Sequence, residues 1–282
     1  MGDECCGAGH DCGMTLVSPI SERRRRMDRR APDADPLAAQ LSYALTADAI
    51  EVLFQPQSAT ASQQVMGAEA LARWRHPQLG EIRGDELFRI AASAGMVRQV
   101  SDHVMDQALQ AAARWPAHLR LSLNITAGDL ATPGFPDIVA AALCRNDFAP
   151  ERLTLEITEQ ALVADLDRSA ERLTQLVDLG IKVALDDFGA GFCNFRYLKI
   201  LPLHYLKLDR SMIEGVAEDR RDLEVLRGIV ALAGALDLSV VAEGIETDGQ
   251  LAAIASVGCA SWQGYLGAKP MHCGEFAALA AR

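Results

Sequence analysis

The chain has 282 residues, half of them hydrophobic, and a formal net charge of -11. That length suits one large domain with an appendage, and the apolar share is enough for a sizeable core. No apolar run approaches the roughly 20 residues of a membrane span, and an acidic surface argues against a broad nucleic-acid groove.

Residues 1–36 read as a disordered Cys- and Arg-rich arm and linker. They carry Cys5, Cys6, His10 and Cys12, the run Arg23 to Arg26 with Arg29 and Arg30, and then Ala31-Pro32-Asp33-Ala34-Asp35-Pro36, with no hydrophobic period. Adjacent Cys5 and Cys6 suit one tetrahedral metal poorly. The arginine run reads as a solvated linker, with acidic lipid or nucleic acid as the other candidates. Met1 to Asp11 has no apolar signal-peptide core, and Met14 or Met27 are alternative starts. A cytoplasmic protein with mostly reduced thiols is expected, since the seven cysteines are odd in number and scattered.

From Leu37 to Arg282 the pattern is globular. Seven short apolar runs each carry a polar residue at the end: Ala68-Glu69-Ala70-Leu71, Leu121 to Asn124, Leu153 to Glu156, Val183 to Asp187, Tyr205 to Asp209 with Lys207 inside it, Val240 to Glu243, and Ser261-Trp262-Gln263. Between them the spacing predicts helices. Asp165 to Leu179 puts Leu166, Ala170, Leu173, Leu176 and Val177 on one face and stops at Gly180, and Asp219 to Leu236 does the same with Leu223, Leu226, Ile229, Val230 and Ala233. Continuous apolar strands between amphipathic helices mean a parallel sheet covered on both faces. An open doubly wound sheet fits that description too. A TIM-like β/α barrel is preferred, because only a closed barrel makes so many polar strand ends converge on one rim.

Glu69, Asn124, Glu156 and Asp186 offer hard oxygens, which suit Mg²⁺ or Mn²⁺; the histidines do not gather at strand ends. Asp186 and Asp187 at a strand's end can both turn towards one site, so that one carboxylate bridges two cations and Glu243 completes the second set. Two such cations can activate a water for in-line attack on a phosphoryl group, with Lys207 holding the water or a phosphate oxygen. This many carboxylates would repel one another without cations. A single strand-end carboxylate is ordinarily a solvated residue or a helix cap; the ordered set is what carries the metal reading. Arg73, four residues from Glu69 on the same strand face, either pairs with a carboxylate or clamps a phosphate. Trp74 and Trp262 are expected to pack in the core.

The segments Glu69-Ala70-Leu71-Ala72-Arg73-Trp74, Leu153 to Glu159, Asp186-Asp187-Phe188-Gly189-Ala190-Gly191, Leu206 to Asp209 and Val241 to Thr247 carry a further signal, with Phe54-Gln55-Pro56, Gln263-Gly264-Tyr265-Leu266 and Lys269-Pro270. Together they resemble the motifs of EAL-domain cyclic di-GMP phosphodiesterases, over about Leu37 to Arg282. The resemblance implies a bacterial barrel enzyme hydrolysing cyclic di-GMP to linear pGpG with two Mg²⁺ or Mn²⁺ per site. It implies that Glu69, Asn124, Glu156 and Asp186 hold one metal, and that Asp186, Asp187 and Glu243 hold the other. Lys207 would contact the nucleophilic water and Glu243 would act as general base. Gln55, Leu71, Arg73 and Asp209 would touch the nucleotide, with Gln263 and Glu246 near metal-bound waters. Glu159 would anchor the loop after Asp187, through which a homodimer is expected.

Four stretches depart from the family pattern. Cys193-Asn194 follows Phe192 where a Ser-Ser pair is usual, Gly84 replaces a proline, Ala92-Ser93 stands for Ala-Glu, and Gln57 to Gln64 lacks acidic turn residues. These bear on loop ordering, dimer coupling and rate, not on the metal ligands. The alternative reading is a catalytically weak cyclic di-GMP receptor or interaction module. A barrel glycosidase would use Glu69 and Glu156 but leave Asn124, Asp186, Asp187 and Lys207 idle.

Overall fold

The computed structural model describes residues 36–162, 165–191 and 195–281. The arm with Cys5, Cys6, His10, Cys12 and its arginines, and the loop positions Phe192, Cys193 and Asn194, lie outside the described residues.

Nine strands are described: β1 (Ile50–Ala59), β2 (Val65–His76), β3 (Gly80–Arg83), β4 (Arg120–Asn124), β5 (Leu153–Thr158), β6 (Lys182–Phe188), β7 (Tyr205–Leu208), β8 (Ser239–Ala242) and β9 (Ser261–Trp262). Their hydrogen-bonded order is β1-β9-β8-β7-β6-β5-β4-β2, and β1 also pairs with β2, which closes an eight-stranded barrel; β3 hangs on the far edge of β2. The expected barrel is therefore present, with one strand reversed. β1 runs antiparallel to both β2 and β9, while β2 and β4 to β9 run parallel to one another around the rest of the barrel. Only residues 60–64 join β1 to β2. So short a connection can make a hairpin, whereas a parallel pair needs a crossover of a dozen residues or more.

The helices are α1 (Pro36–Thr46), α2 (Gly84–Ser93), α3 (Val97–Ala112), α4 (Ala127–Ala131), α5 (Phe135–Arg145), α6 (Glu159–Leu162), α7 (Leu166–Asp178), α8 (Phe195–Ile200), α9 (Arg220–Gly234), α10 (Asp248–Val257) and α11 (Cys273–Ala280). Local chemistry fixes their ends. The Asp165 side chain accepts from the Arg168 amide at 3.1 Å to start α7, and Gly180 follows the helix at φ 98°. Asp219 starts α9 by accepting from the Arg221 amide at 2.7 Å. None of the described helices is long and apolar enough to cross a membrane.

Alternation along the strands separates two environments. On β5, Leu153, Leu155 and Ile157 face the helices and are fully buried in the main apolar cluster. Thr154 and Glu156, on the other face, line the barrel interior with Ser122 of β4 and Lys207 of β7. Phe54 of β1 packs edge to face on Trp115 with centroids 5.1 Å apart, and Trp262 is buried in the same cluster. Trp74 sits in a second cluster beneath the β2–β3 hairpin, with Leu41, Leu87 and Val100. Both tryptophans are thus packing residues, as expected.

Candidate metal centre

Lys207 is the hub of the site. It is 1% exposed on a barrel strand. Its Nζ lies 2.7 Å from Glu243 Oε1, 3.0 Å from Asp186 Oδ1 and 3.3 Å from Glu69 Oε2, and it also donates to Glu156 Oε2. Four carboxylates from β2, β5, β6 and the end of β8 thus surround one ammonium. Burial alone would lower the lysine's pKa, but the four carboxylates outweigh it and hold the group charged well above its usual range.

The carboxylates divide by environment. Burial would raise Glu69, yet Lys207, Gln263 and Asn124 together bring it below its ordinary value. Asn124 Nδ2 donates to Glu69 Oε1 at 2.8 Å, and Gln263 Nε2 donates to Glu69 Oε2 at 2.7 Å. Burial pushes Glu156 well above the carboxylate range, with Glu69, Asp186 and Glu243 adding to the shift and Lys207 opposing it. Burial, opposed by Lys207 and reinforced by Asp186 and Glu69, brings Glu243 up to about 8.

Asp186 and Asp187 were expected to turn towards the site at a strand's end, but β6 continues past them to Phe188. A register shift does it. Leu185 pairs with Leu206 and Phe188 with Leu208, so one extra residue of β6 bulges opposite Lys207. Asp187 takes the left-handed conformation at φ 55°, which aspartate tolerates better than most side chains. As a residue it is exposed, yet a carboxylate oxygen lies within 4.8 Å of those of Asp186 and Glu243. Desolvation first, and the Asp186 charge second, push it up to about 6. Nor is Glu69 at a strand end; it is the fifth residue of the twelve-residue β2, which runs on to form the hairpin with β3.

The donor set fits hard divalent cations. Oxygens of Glu69, Glu156 and Asp186 lie within 4.8 Å of one another, and so do oxygens of Asp186, Asp187 and Glu243. Asp186 belongs to both groups. Its buried Oδ1, 3.0 Å from the ammonium, accepts no hydrogen bond among the described residues. With all four carboxylates ionised, one lysine leaves three negative charges uncompensated, and Asp187 adds a fourth.

The residues assigned to the nucleotide line the rim less tightly. Gln55 of β1 is half-buried and stands opposite Glu69 in the β1–β2 register, and Leu71 and Arg73 follow on β2. Arg73 Nη1 donates to the Ala72 carbonyl at 2.8 Å, and its Nε is 3.5 Å from Glu81 on β3. Asp209 caps a short turn, accepting from the Ser211 amide at 2.9 Å. Glu246 pairs with Arg210 at 2.8 Å, and Glu159 opens α6 directly after β5. Gln57 carried no assignment from the sequence, yet its Nε2 donates to Gln263 Oε1 at 3.1 Å. The available signal was its place two residues after Gln55, on the same face of one strand.

Fold and site together define a β/α barrel whose rim gathers acidic side chains around one buried lysine. The chain belongs to the EAL domain family, whose profile matches residues 38–270. It is 37% identical over 251 residues to the cyclic di-GMP phosphodiesterase NbdA of Pseudomonas aeruginosa, a match covering 88% of this chain and 32% of that protein. It is 35% identical over 249 residues to the bifunctional diguanylate cyclase/cyclic di-GMP phosphodiesterase MucR of the same organism, covering 87% and 36%. Among solved structures it resembles the PaMucR phosphodiesterase in complex with c-di-GMP, with a TM-score of 0.80 at 35% identity over 85% of this chain and 99% of that one. The chain spans about a third of the length of these curated relatives.

Proposed function

We propose that this chain hydrolyses cyclic di-GMP to linear pGpG with the help of two divalent cations, Mg²⁺ or Mn²⁺. The observation that carries the reading is Asp186, shared between two groups of carboxylate oxygens around a buried lysine. Glu69, Asn124, Glu156 and Asp186 would hold one cation, and Asp186, Asp187 and Glu243 the other. Bound there, the cations supply Lewis-acid polarisation of the phosphoryl group and acidify a water.

The chain's own residues do the rest. Lys207, held cationic by its four carboxylates, orients the attacking water or a phosphate oxygen. Glu243, whose Oε1 lies 2.7 Å from Lys207 Nζ, would accept a proton from that water. The departing 3′-oxygen takes up a proton as the ring opens. Gln55, Leu71, Arg73 and Asp209 bind the nucleotide, Arg73 by exchanging its loose contact with Glu81 for a phosphate. Glu159 would anchor the loop after Asp187, and Gln263 and Glu246 would stand near the cation-bound waters.

A homodimer through the loop after Asp187 belongs to the same reading. Phe195 and Ile200 of α8, which follows that loop, are 54% and 38% exposed and offer apolar surface there. A cytoplasmic location agrees with the free thiols of Cys144, Cys259 and Cys273. The test is turnover of Glu69→Ala beside the parent chain in Mn²⁺. Loss of pGpG formation in the variant is expected; equal rates would refute the site. Nucleotide binding without turnover by the parent chain would establish the receptor reading instead.

A further inference from the structure

Gln263 spans the two carboxylate groups. Its single amide nitrogen donates to Glu69 Oε2 at 2.7 Å and to Glu243 Oε1 at 3.0 Å, one hydrogen to a member of each group. Both of its N–H bonds are then used, and its oxygen points the other way. A side-chain amide is nearly symmetric in shape, so packing alone does not decide which end faces the carboxylates. Rotated by half a turn, Gln263 would set its oxygen against two carboxylates and release both.

The two carboxylates favour the nitrogen, and Gln57 holds the same orientation from the other side. Its Nε2 donates to Gln263 Oε1 at 3.1 Å, and its own oxygen faces Ser122 Oγ at 3.4 Å. The chain of donors therefore runs one way, from Ser122 on β4 through Gln57 on β1 to Gln263 after β9, and ends on Glu69 and Glu243. It crosses the barrel interior, where a cavity of about 30 Å³ lined by Gln57, Ser122, Thr154, Glu156 and Lys207 lies beneath the lysine. Gln263 and Ser122 are 5% and 4% exposed, so bulk water is poorly placed to replace a lost donor.

We infer that Gln57 is a positioning residue: by holding the Gln263 amide with its nitrogen towards Glu69 and Glu243, it sets the spacing of the two cation-binding carboxylate groups. It touches neither the cations nor the reacting phosphate. The inference rests on the two-cation reading above and deepens it.

The test compares the parent chain with Gln57→Met and Gln57→Glu by Mn²⁺ titration calorimetry, melting in chelator, and steady-state kinetics on cyclic di-GMP. Gln57→Met fills similar space without a donor. It is expected to melt within a few degrees of the parent in chelator, to bind Mn²⁺ about three- to tenfold more weakly, the worth of one hydrogen bond, and to lose kcat with KM for the nucleotide unchanged. Gln57→Glu is near-isosteric and, ionised at pH 8.5, where the titrations are run, offers only acceptors to Gln263 Oε1, so it favours the reversed amide. Charge alone would make this variant bind Mn²⁺ more tightly than the parent; the orientation role predicts weaker binding than in Gln57→Met. Parental Mn²⁺ affinity in Gln57→Met, or tighter binding in Gln57→Glu, overturns the inference. Should the parent chain fail to hydrolyse cyclic di-GMP, the proposed activity falls, while the Mn²⁺ affinities still decide the role of Gln57.

Discussion

Replacing Lys207 by methionine isolates the electrostatics of the site. Methionine keeps the unbranched stem that fills the barrel but removes the charge from among Glu69, Glu156, Asp186 and Glu243. Taking away one partner of a buried ion pair costs roughly 3 to 5 kcal/mol, because the other charge stays buried and uncompensated. For a folded unit of this size each kcal/mol moves the melting temperature by about 2 to 4 °C, so a fall of roughly 6 to 20 °C is expected. The fall depends on conditions. Glu156 and Glu243 are already raised, so near pH 5.5 the variant sheds charge by binding protons and the deficit shrinks. At pH 8.5 in chelator it is largest, and Mn²⁺ recovers much of it by replacing the missing positive charge. Thermal melts of parent and variant in these three conditions provide the assay. An equal deficit in all three would mean that Lys207 contributes by packing and not by charge.

Other outcomes follow from the same geometry. Glu243 has a folded pKa of about 8 against 4.5 unfolded, so between those values the native state binds the extra proton. The parent chain in chelator should therefore lose stability as pH rises from about 4.5 to 8, the slope being negative wherever the native state holds more protons. Denaturant titrations across that range check it, and flat or rising stability contradicts it. Arg73→Ala removes a cation outside the carboxylate cluster; KM for cyclic di-GMP should rise by about 10- to 100-fold, with Mn²⁺ affinity unchanged. Gly264→Ala would place its Cβ 2.1 Å from the Ile245 carbonyl, next to Gln263. A stability loss of about 1 to 3 kcal/mol with weakened Mn²⁺ binding is expected, and parental values of both would show that the backbone there yields.

The barrel was legible in the sequence where physics is local. Helix ends at Asp165, Gly180 and Asp219 follow from capping chemistry, and α7 and α9 from apolar spacing. Glu69, Glu156, Asp186 and Glu243 converge because parallel strands in a closed barrel bring successive strands to one rim. What the sequence hid is non-local. The reversed β1 follows from a connection too short for a crossover, which alternation along the strand does not register. The bulge at Asp187 depends on the pairing of β6 with β7, not on β6 itself. Lys207 stood out as a lysine on an apolar strand, but its four partners come from other strands, and its place among them emerges only when the barrel closes. Gln57 was hidden for the same reason: its partner Gln263 is 206 residues away.

The most direct measurement of the central claim is chromatography of the products formed from cyclic di-GMP by the purified chain, in Mn²⁺, in Mg²⁺ and in chelator. Formation of pGpG is expected in the presence of either cation, and none in chelator. Product formation that persists in chelator, or bound nucleotide that stays intact with both cations present, would contradict it.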